Sequence, residues 1–371
     1  MFSKINLAKQ DKIHNDNKFG IDCLLFERCN LKCKFCLEEH SNNNIDYDYI
    51  RKIPYDIVDR MKEEIKTHKD IKEVNIRLWG GELFFDALPD TLFDEYKLLV
   101  DNFRKLFRKD LNDVNVTFSW ISNGVFTKWE RVKDIIEYSN GFIGFSYDPI
   151  DRYSSDTQKE MFFKTVEYFY NNDLLSDISI TLTKRTINCY ISGNSDIEKL
   201  RKYKKFDVNF YIPNKNWEEL MPTDDDIFNF FKWALDNRLF GIYDIEKLVM
   251  TSMNTSKTIG RTCNCDKHLS HCKNCVTYNC VKSSTIFGND MFYANETQNI
   301  TEDSVSNIKA SLGILKRGCL TCKYYGSCSM PCWTSILFKH YKISECPYKK
   351  AHDYITNNKH IIEKYNEYKK S

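Results

Sequence analysis

Apolar and polar residues follow two rhythms between residues 20 and 237. Short apolar-rich runs at 22–27, 74–79, 114–121, 142–147, 177–183 and 206–212 read as strands. Between them, apolar residues recur three and four apart, as at Ile57, Met61 and Ile65. This spacing predicts helices over 55–66, 91–107, 128–138, 157–171, 194–203 and 223–237. Strands alternating with helices imply βαβ units and a parallel sheet. Roughly six such units precede a change of texture, so the expected fold is α/β, a partial (β/α)6 barrel rather than a closed eightfold one. In such folds the chemistry gathers at the C-terminal ends of the strands.

Past residue 255 the helical periodicity weakens and turn-forming residues increase. Ten of the fifteen cysteines fall between Cys263 and Cys346. The predicted organisation is an N-terminal extension (1–19), the partial barrel (20–240), a cysteine-rich C-terminal domain (241–350) and a polar terminal helix (351–371). The cysteine-rich part is too poor in apolar residues to build a large core, which points to clusters as its scaffold.

Lys and Arg total 54 against 52 Asp and Glu, a formal net charge of +2. Nothing in that balance argues for a nucleic-acid or membrane surface. No run approaches the roughly 18 apolar residues of a membrane span, and residues 1–20 lack the apolar core of a signal peptide. The expected location is cytoplasmic. In a reducing compartment, fifteen cysteines point to metal or cluster chemistry rather than disulfides.

The most informative motif follows the first predicted strand. Cys29, Cys33 and Cys36 are spaced C-x3-C-x2-C, with no fourth cysteine close by. Iron–sulfur clusters are usually held by four thiolates. Three on a four-iron cube leave one iron open to a substrate or cofactor, which suggests catalysis. The alternatives are half of a zinc site or a chance cluster.

This run resembles the signature of the radical S-adenosylmethionine (SAM) enzymes. The resemblance implies a 4Fe-4S cluster whose open iron chelates the amine and carboxylate of SAM. Reduction then cleaves SAM to a 5′-deoxyadenosyl radical that abstracts hydrogen from the substrate. It also implies that Phe35 packs near the adenine and that Gly80-Gly81-Glu82, at the end of the second strand, binds the SAM amino group. Ser122 and Asn123, and Ser146 and Asp148, end later strands. They are similar to residues that hydrogen-bond the SAM ribose and carboxylate, or else they cap the helices that follow. Lys184, between Thr183 and Arg185, is a candidate cation for the SAM carboxylate.

The run Cys319-x2-Cys322-x5-Cys328-x3-Cys332, with Cys346 beyond, resembles the SPASM domain of radical SAM enzymes that modify peptides and proteins. The resemblance implies that Cys319, Cys322, Cys328 and Cys346 hold one auxiliary four-iron cluster. Cys332 then crosses to a second. Upstream, the family's cysteine after a glycine turn is missing: the matching positions are Tyr293 and Asn295. Cys272, Cys275, Cys280 and Cys332 make a substitute set of four; otherwise one auxiliary iron stays open. In the sulfatase-maturing branch an acid near the missing cysteine acts as base, and Glu296 is the matching residue here.

The expected function is hydrogen abstraction from a peptide or protein side chain, giving a crosslink, an epimer or an oxidised residue. Expected partners are the peptide or protein substrate and an electron donor such as flavodoxin or ferredoxin. Only some 20 residues precede the first strand, too few for a fused leader-peptide recognition domain, so a separate recognition protein or direct binding in the barrel mouth is expected. Two other readings stay open: a radical SAM dehydrogenase or mutase on a small molecule, and a non-catalytic electron-transfer or zinc scaffold protein.

Overall fold

The computed structural model describes residues 17–36, 44–67, 69–193, 196–203, 206–211, 218–253, 268–272, 275–277, 322–324, 328 and 346–370. Six strands run parallel in strict chain order: β1 (Lys18–Leu24), β2 (Glu73–Trp79), β3 (Asn115–Ser122), β4 (Phe142–Tyr147), β5 (Leu175–Leu182) and β6 (Phe206–Phe210). Each strand adds beside the previous one, with no reversal of order. Right-handed crossovers therefore place all the connecting helices on one face of the sheet. The result is the predicted α/β half-barrel.

The helices are α1 (Tyr47–Thr67), α2 (Thr91–Asp110), α3 (Trp129–Tyr138), α4 (Asp156–Asn171), α5 (Lys184–Ile191), α6 (Ile197–Arg201), α7 (Asp224–Asp236) and α8 (Tyr243–Ser252). In α2 the residues Leu92, Phe93, Tyr96, Leu99, Val100, Phe103 and Phe107 form one buried stripe, the three-and-four spacing of an amphipathic helix. Side-chain caps start α4 (Ser155 to the Gln158 N–H), α5 (Thr183 to the Thr186 N–H) and α7 (Thr223 with Asp226 in a reciprocal box). Each cap contributes about 1 kcal/mol.

Several boundaries differ from the sequence reading. The first strand is Lys18–Leu24, not 22–27, because Phe19, Ile21 and Cys23 are its core-facing residues and Leu25 and Phe26 already belong to the turn. The first helix begins at Tyr47 and runs through Pro54, anchored by buried Ile50 and Ile53. Helix α5 adds an element between the strand at 177–183 and the helix expected at 194–203; it is eight residues long, too short for periodicity to reveal. Residues 347–370 form two helices, α9 (Pro347–Asn357) and α10 (His360–Lys370). They bury Ala351, His352, Ile355, Ile361 and Tyr365.

The barrel stops at six units for a local reason. Just after α7 the chain pairs with β6 through a single bridge, Ile242 to Phe206, in parallel. It then turns at once into α8. On the other edge, β7 (His268–Cys272) pairs parallel with β1, and β8 (Cys275–Thr277) folds back on β7. These additions cover sheet edges that would otherwise be free to pair.

The two faces of the sheet differ sharply. Phe19, Ile21, Cys23, Val74, Ile76, Leu78, Phe118, Trp120, Ile143, Phe145, Ile178 and Ile180 face the helices and are fully buried. The opposite, concave face carries Asp22, Asn75, Arg77, Thr117, Ser119, Ser146, Asp177, Ser179, Asp207 and Asn209. Parallel strands are normally apolar on both faces; here one face is a polar lumen. Among the described residues, no helix is long and apolar enough to cross a membrane.

Candidate functional site

The Cys29–Cys36 loop leaves the C-terminal end of β1 and spans the mouth of the half-barrel. Two glycines hold its first part. The Gly81 N–H donates to the Phe26 carbonyl (2.8 Å), and the Glu82 N–H donates to the Arg28 carbonyl (2.9 Å). A Cβ on Gly80 would lie 2.5 Å from the Phe26 oxygen, and one on Gly81 would overlap the carbonyls of Glu27 and Arg28. Both positions thus need glycine for backbone-to-backbone approach. The glycine pair pins the cysteine loop, a role beyond the ligand approach expected from the motif.

Glu82 is 1% exposed. Its Oε1 accepts from the Ser122 hydroxyl (2.8 Å) and the Phe84 N–H (3.0 Å), and its Oε2 accepts from the Asn123 N–H (2.5 Å). Burial pushes its pKa up to about 7, against the pull of these hydrogen bonds and of Arg152. Glu82 and Ser122 therefore knit the ends of β2 and β3 together.

Asn123 extends the link to the cysteine loop. Its amide donates to Asn30 Oδ1 (2.8 Å) and lies 3.8 Å from the Cys29 sulfur, while Asn30 Nδ2 donates to the Val125 carbonyl (2.7 Å). Asn30 was missed in the sequence, since an Asn inside a cysteine motif carries no pattern of its own. The Leu31 N–H donates to the Cys29 sulfur at 3.4 Å, and the Cys36 N–H to the Cys33 carbonyl at 3.1 Å.

Phe35 is buried against Tyr211 and Leu220, just beyond β6, its ring edge-on to Tyr211 at 6.5 Å. This contact closes the loop across the mouth from β1 to β6. The Arg152 guanidinium lies 5.2 Å from the Phe35 ring centre; burial raises the Cys33 pKa, and the Arg152 charge opposes that rise. Arg152 is a second residue missed from sequence. It sits in a loop, and only the fold brings it to the thiols.

The other predicted contacts divide. Ser146 lies on the lumen face at the end of β4, in register with Ser179. Asp148 is fully buried and accepts from the Ile150 and Asp151 N–H groups and the Thr186 hydroxyl. It organises the β4 loop and ties it to Thr186 of α5. Lys184 is exposed on the first turn of α5, and its neighbour Arg185 pairs with Asp151 at 2.5 Å.

The thiols fit a cluster. Burial, then the charges of Glu82, Cys33 and Cys36, push the Cys29 pKa up to about 12, so ligation must displace its proton. Among the described residues, no three His, Cys, Asp or Glu side chains converge to hold a single ion.

The auxiliary thiols are described in part; Cys280, Cys319, Cys332 and Glu296, like Cys263 and Cys265, lie outside the described residues. Cys272 and Cys275 are register partners across the β7–β8 turn. Cys272 follows the His271–Cys23 pair, so this turn lies at the same end of the sheet as the Cys29–Cys36 loop. Cys346 caps α9, which docks on α7 and α8 through Tyr348 against Phe231, Lys350 with Asp225, and His352 with Ser252. Tyr324, between Cys322 and Cys328, stacks on His352 at 4.7 Å. Burial lowers the pKa of Lys247 on α8, while Asp244 and Cys328 oppose that shift, which places Cys328 near α8.

No protein-family model matches the chain, and no curated protein does. Solved structures do. Histidine-tagged anSMEcpe with bound AdoMet superposes with a TM-score of 0.63 at 15% identity, covering 93% of this chain and 98% of that one. Native anSMEcpe with bound AdoMet and Cp18Cys peptide gives 0.61 at 15% identity over 94% and 99%. With Kp18Cys peptide it gives 0.61 at 16% over the same shares. At such identity the likeness speaks for the fold, and the chain has the anSMEcpe fold over nearly its whole length.

Proposed function

We propose that the chain is a radical SAM enzyme that modifies a peptide or protein side chain. The observation that carries this is the three-thiol loop laid across the mouth of the half-barrel and pinned there by Gly80, Gly81 and Asn123. When bound by Cys29, Cys33 and Cys36, a 4Fe-4S cluster supplies an open iron and the electron that cleaves SAM. The chain's own residues hold and orient that cofactor. Glu82 accepts one bond on Oε2, which leaves a lone pair there for the SAM ammonium. Arg152 is better placed than Lys184 to meet the SAM carboxylate, because it is the guanidinium whose charge acts on Cys33. Ser146 faces the lumen, where a ribose hydroxyl would lie. The polar concave face would suit a hydrophilic substrate segment.

The peptide-bound anSMEcpe structures support a peptide substrate. Auxiliary clusters on the C-terminal cysteines, an oxidoreductase outcome, a flavodoxin- or ferredoxin-type electron donor, a separate leader-binding protein and a cytoplasmic location belong to the same proposal. The test is anaerobic reconstitution with iron and sulfide, followed by dithionite and SAM. Roughly eight to twelve irons per chain are expected for two or three clusters, together with 5′-deoxyadenosine. Stoichiometric zinc with little iron, or no cleavage of SAM, rejects the reading.

A further inference from the structure

Strand β2 lies between β1 and β3, yet its Arg77 side chain is 46% exposed. An exposed arginine in the interior of a parallel sheet is unusual, because such strands are ordinarily covered on both faces. Arg77 projects into the lumen: Val74, Ile76 and Leu78 take the helix side, which leaves Asn75, Arg77 and Trp79 on the other. Its register partner Asp22 accepts the Arg77 Nε–H, and the Asp22 side chain is only 10% exposed. The buried carboxylate holds the guanidinium by one edge. No bond of the two terminal nitrogens is found among the described residues.

Two positions along, at the strand end, Trp79 presents a second donor. Its indole nitrogen is buried and has no hydrogen-bond partner among the described residues. Buried donors in native proteins nearly always have a partner, so an orphan at a site mouth points to a group the site receives. Arg77 and Trp79 share one face of β2, about 7 Å apart along the strand, both offering N–H groups and no acceptor.

We propose that Arg77 and Trp79 form the recognition pair for a carboxylate of the substrate, either an acidic side chain or a chain-terminal carboxylate. The proposal rests on the reading of the barrel mouth as the radical site. A guanidinium fork fixed by a buried acid is suited to a planar anion. Asp22 neutralises the charge of Arg77 but leaves its terminal donors. Of the other lumen acids on the described strands, Glu73 of β2 is paired with Lys18, and Asp177 and Asp207 lie on β5 and β6. They are three and four strands from β2, roughly 14 Å or more away, beyond the Debye length of about 8 Å at physiological salt. With Glu73 paired to Lys18, the donors of Arg77 and Trp79 thus lie on β2 and the remaining lumen acids on β5 and β6.

The test uses the full chain with its clusters reconstituted and SAM bound. The probes are capped tripeptides Ac-Ala-X-Ala-NH2 with X as Glu, Gln or Lys, and Ac-Ala-Ala-Ala with a free or amidated terminus, and binding is read by ligand-observed NMR. One carboxylate peptide should bind about tenfold or more tightly than its neutral isostere. The Glu and free-terminus arms distinguish the two sources. Because Arg77→Gln alone takes a charged partner from the buried Asp22, the variant is Arg77→Gln with Asp22→Asn, and it should bring the preference to within about twofold. Trp79→Phe, which removes the indole N–H and trims the ring, should reduce it by a smaller factor. Equal binding of acid and isostere, strongest binding of the Lys peptide, no binding of any probe, or a preference that survives both variants would overturn the proposal. SAM cleavage by the unsubstituted protein is scored separately, so loss of the radical SAM reading is distinguished from loss of this one.

Discussion

Glu82 offers a test in which the sign is fixed by its surroundings. Its carboxyl is buried, and burial raises its pKa from 4.5 to about 7. A carboxyl whose folded pKa is raised contributes its stability below the unfolded value and loses it as pH rises through the folded value. At about 1.4 kcal/mol per unit, that shift amounts to about 3 kcal/mol lost between pH 4.5 and 7. Glu82→Gln removes the ionisation. It also places an amide nitrogen against one of the three donors that Glu82 now satisfies, from Ser122, Phe84 and Asn123, which costs about 1–3 kcal/mol at all pH values. The variant should therefore be less stable than the parent near pH 4.5. It should draw nearly level, or pass it, near about pH 8. The assay is urea unfolding of the reduced, metal-free chain and its variant across that range. A difference that does not change with pH would refute the argument that Glu82 is held as a buried, reluctantly charged group. With clusters and SAM bound, the pH dependence should shrink, because an ammonium beside Oε2 favours the charged form.

Three further outcomes are expected. Replacing Cys29, Cys33 and Cys36 together by Ala should abolish 5′-deoxyadenosine formation under strong reductant while auxiliary-cluster absorbance remains; normal cleavage would place the catalytic cluster elsewhere. Cys272→Ala should lose about one cluster of iron and Cys265→Ala none, since Cys272 pairs with Cys275 across the β7–β8 turn; iron analysis showing the reverse would make Cys263 and Cys265 the ligands. Buried His352 has its pKa lowered from 6.5 to about 4 by desolvation, so the chain should lose about 3 kcal/mol as pH falls from 6.5 to 4. His352→Phe should remove that loss, and unfolding curves with the same acid dependence in both proteins would contradict it.

The alternation of strands and helices, the cysteine loop after the first strand, and the Gly-Gly-Glu turn after the second were all legible in the sequence. Each is a local signal: side chains alternate every two residues on a strand and recur about every 3.6 on a helix, and ligand spacing within a loop is a matter of a few residues. Tertiary structure alone decided what those residues touch. It made the glycines clamps on the backbone of residues 26–28 and tied Glu82 to Ser122 and Asn123. It joined Asn30 to Asn123, set Arg152 beside the thiols, and closed Phe35 onto Tyr211. It also set the Ile242 bridge on the edge of β6, laid β7 on the edge of β1, and turned the polar residues of six strands into one lumen. These contacts join residues tens to hundreds of positions apart. A periodicity reports only which face a side chain takes, whereas the partner on that face depends on how the strands are ordered and registered in the sheet.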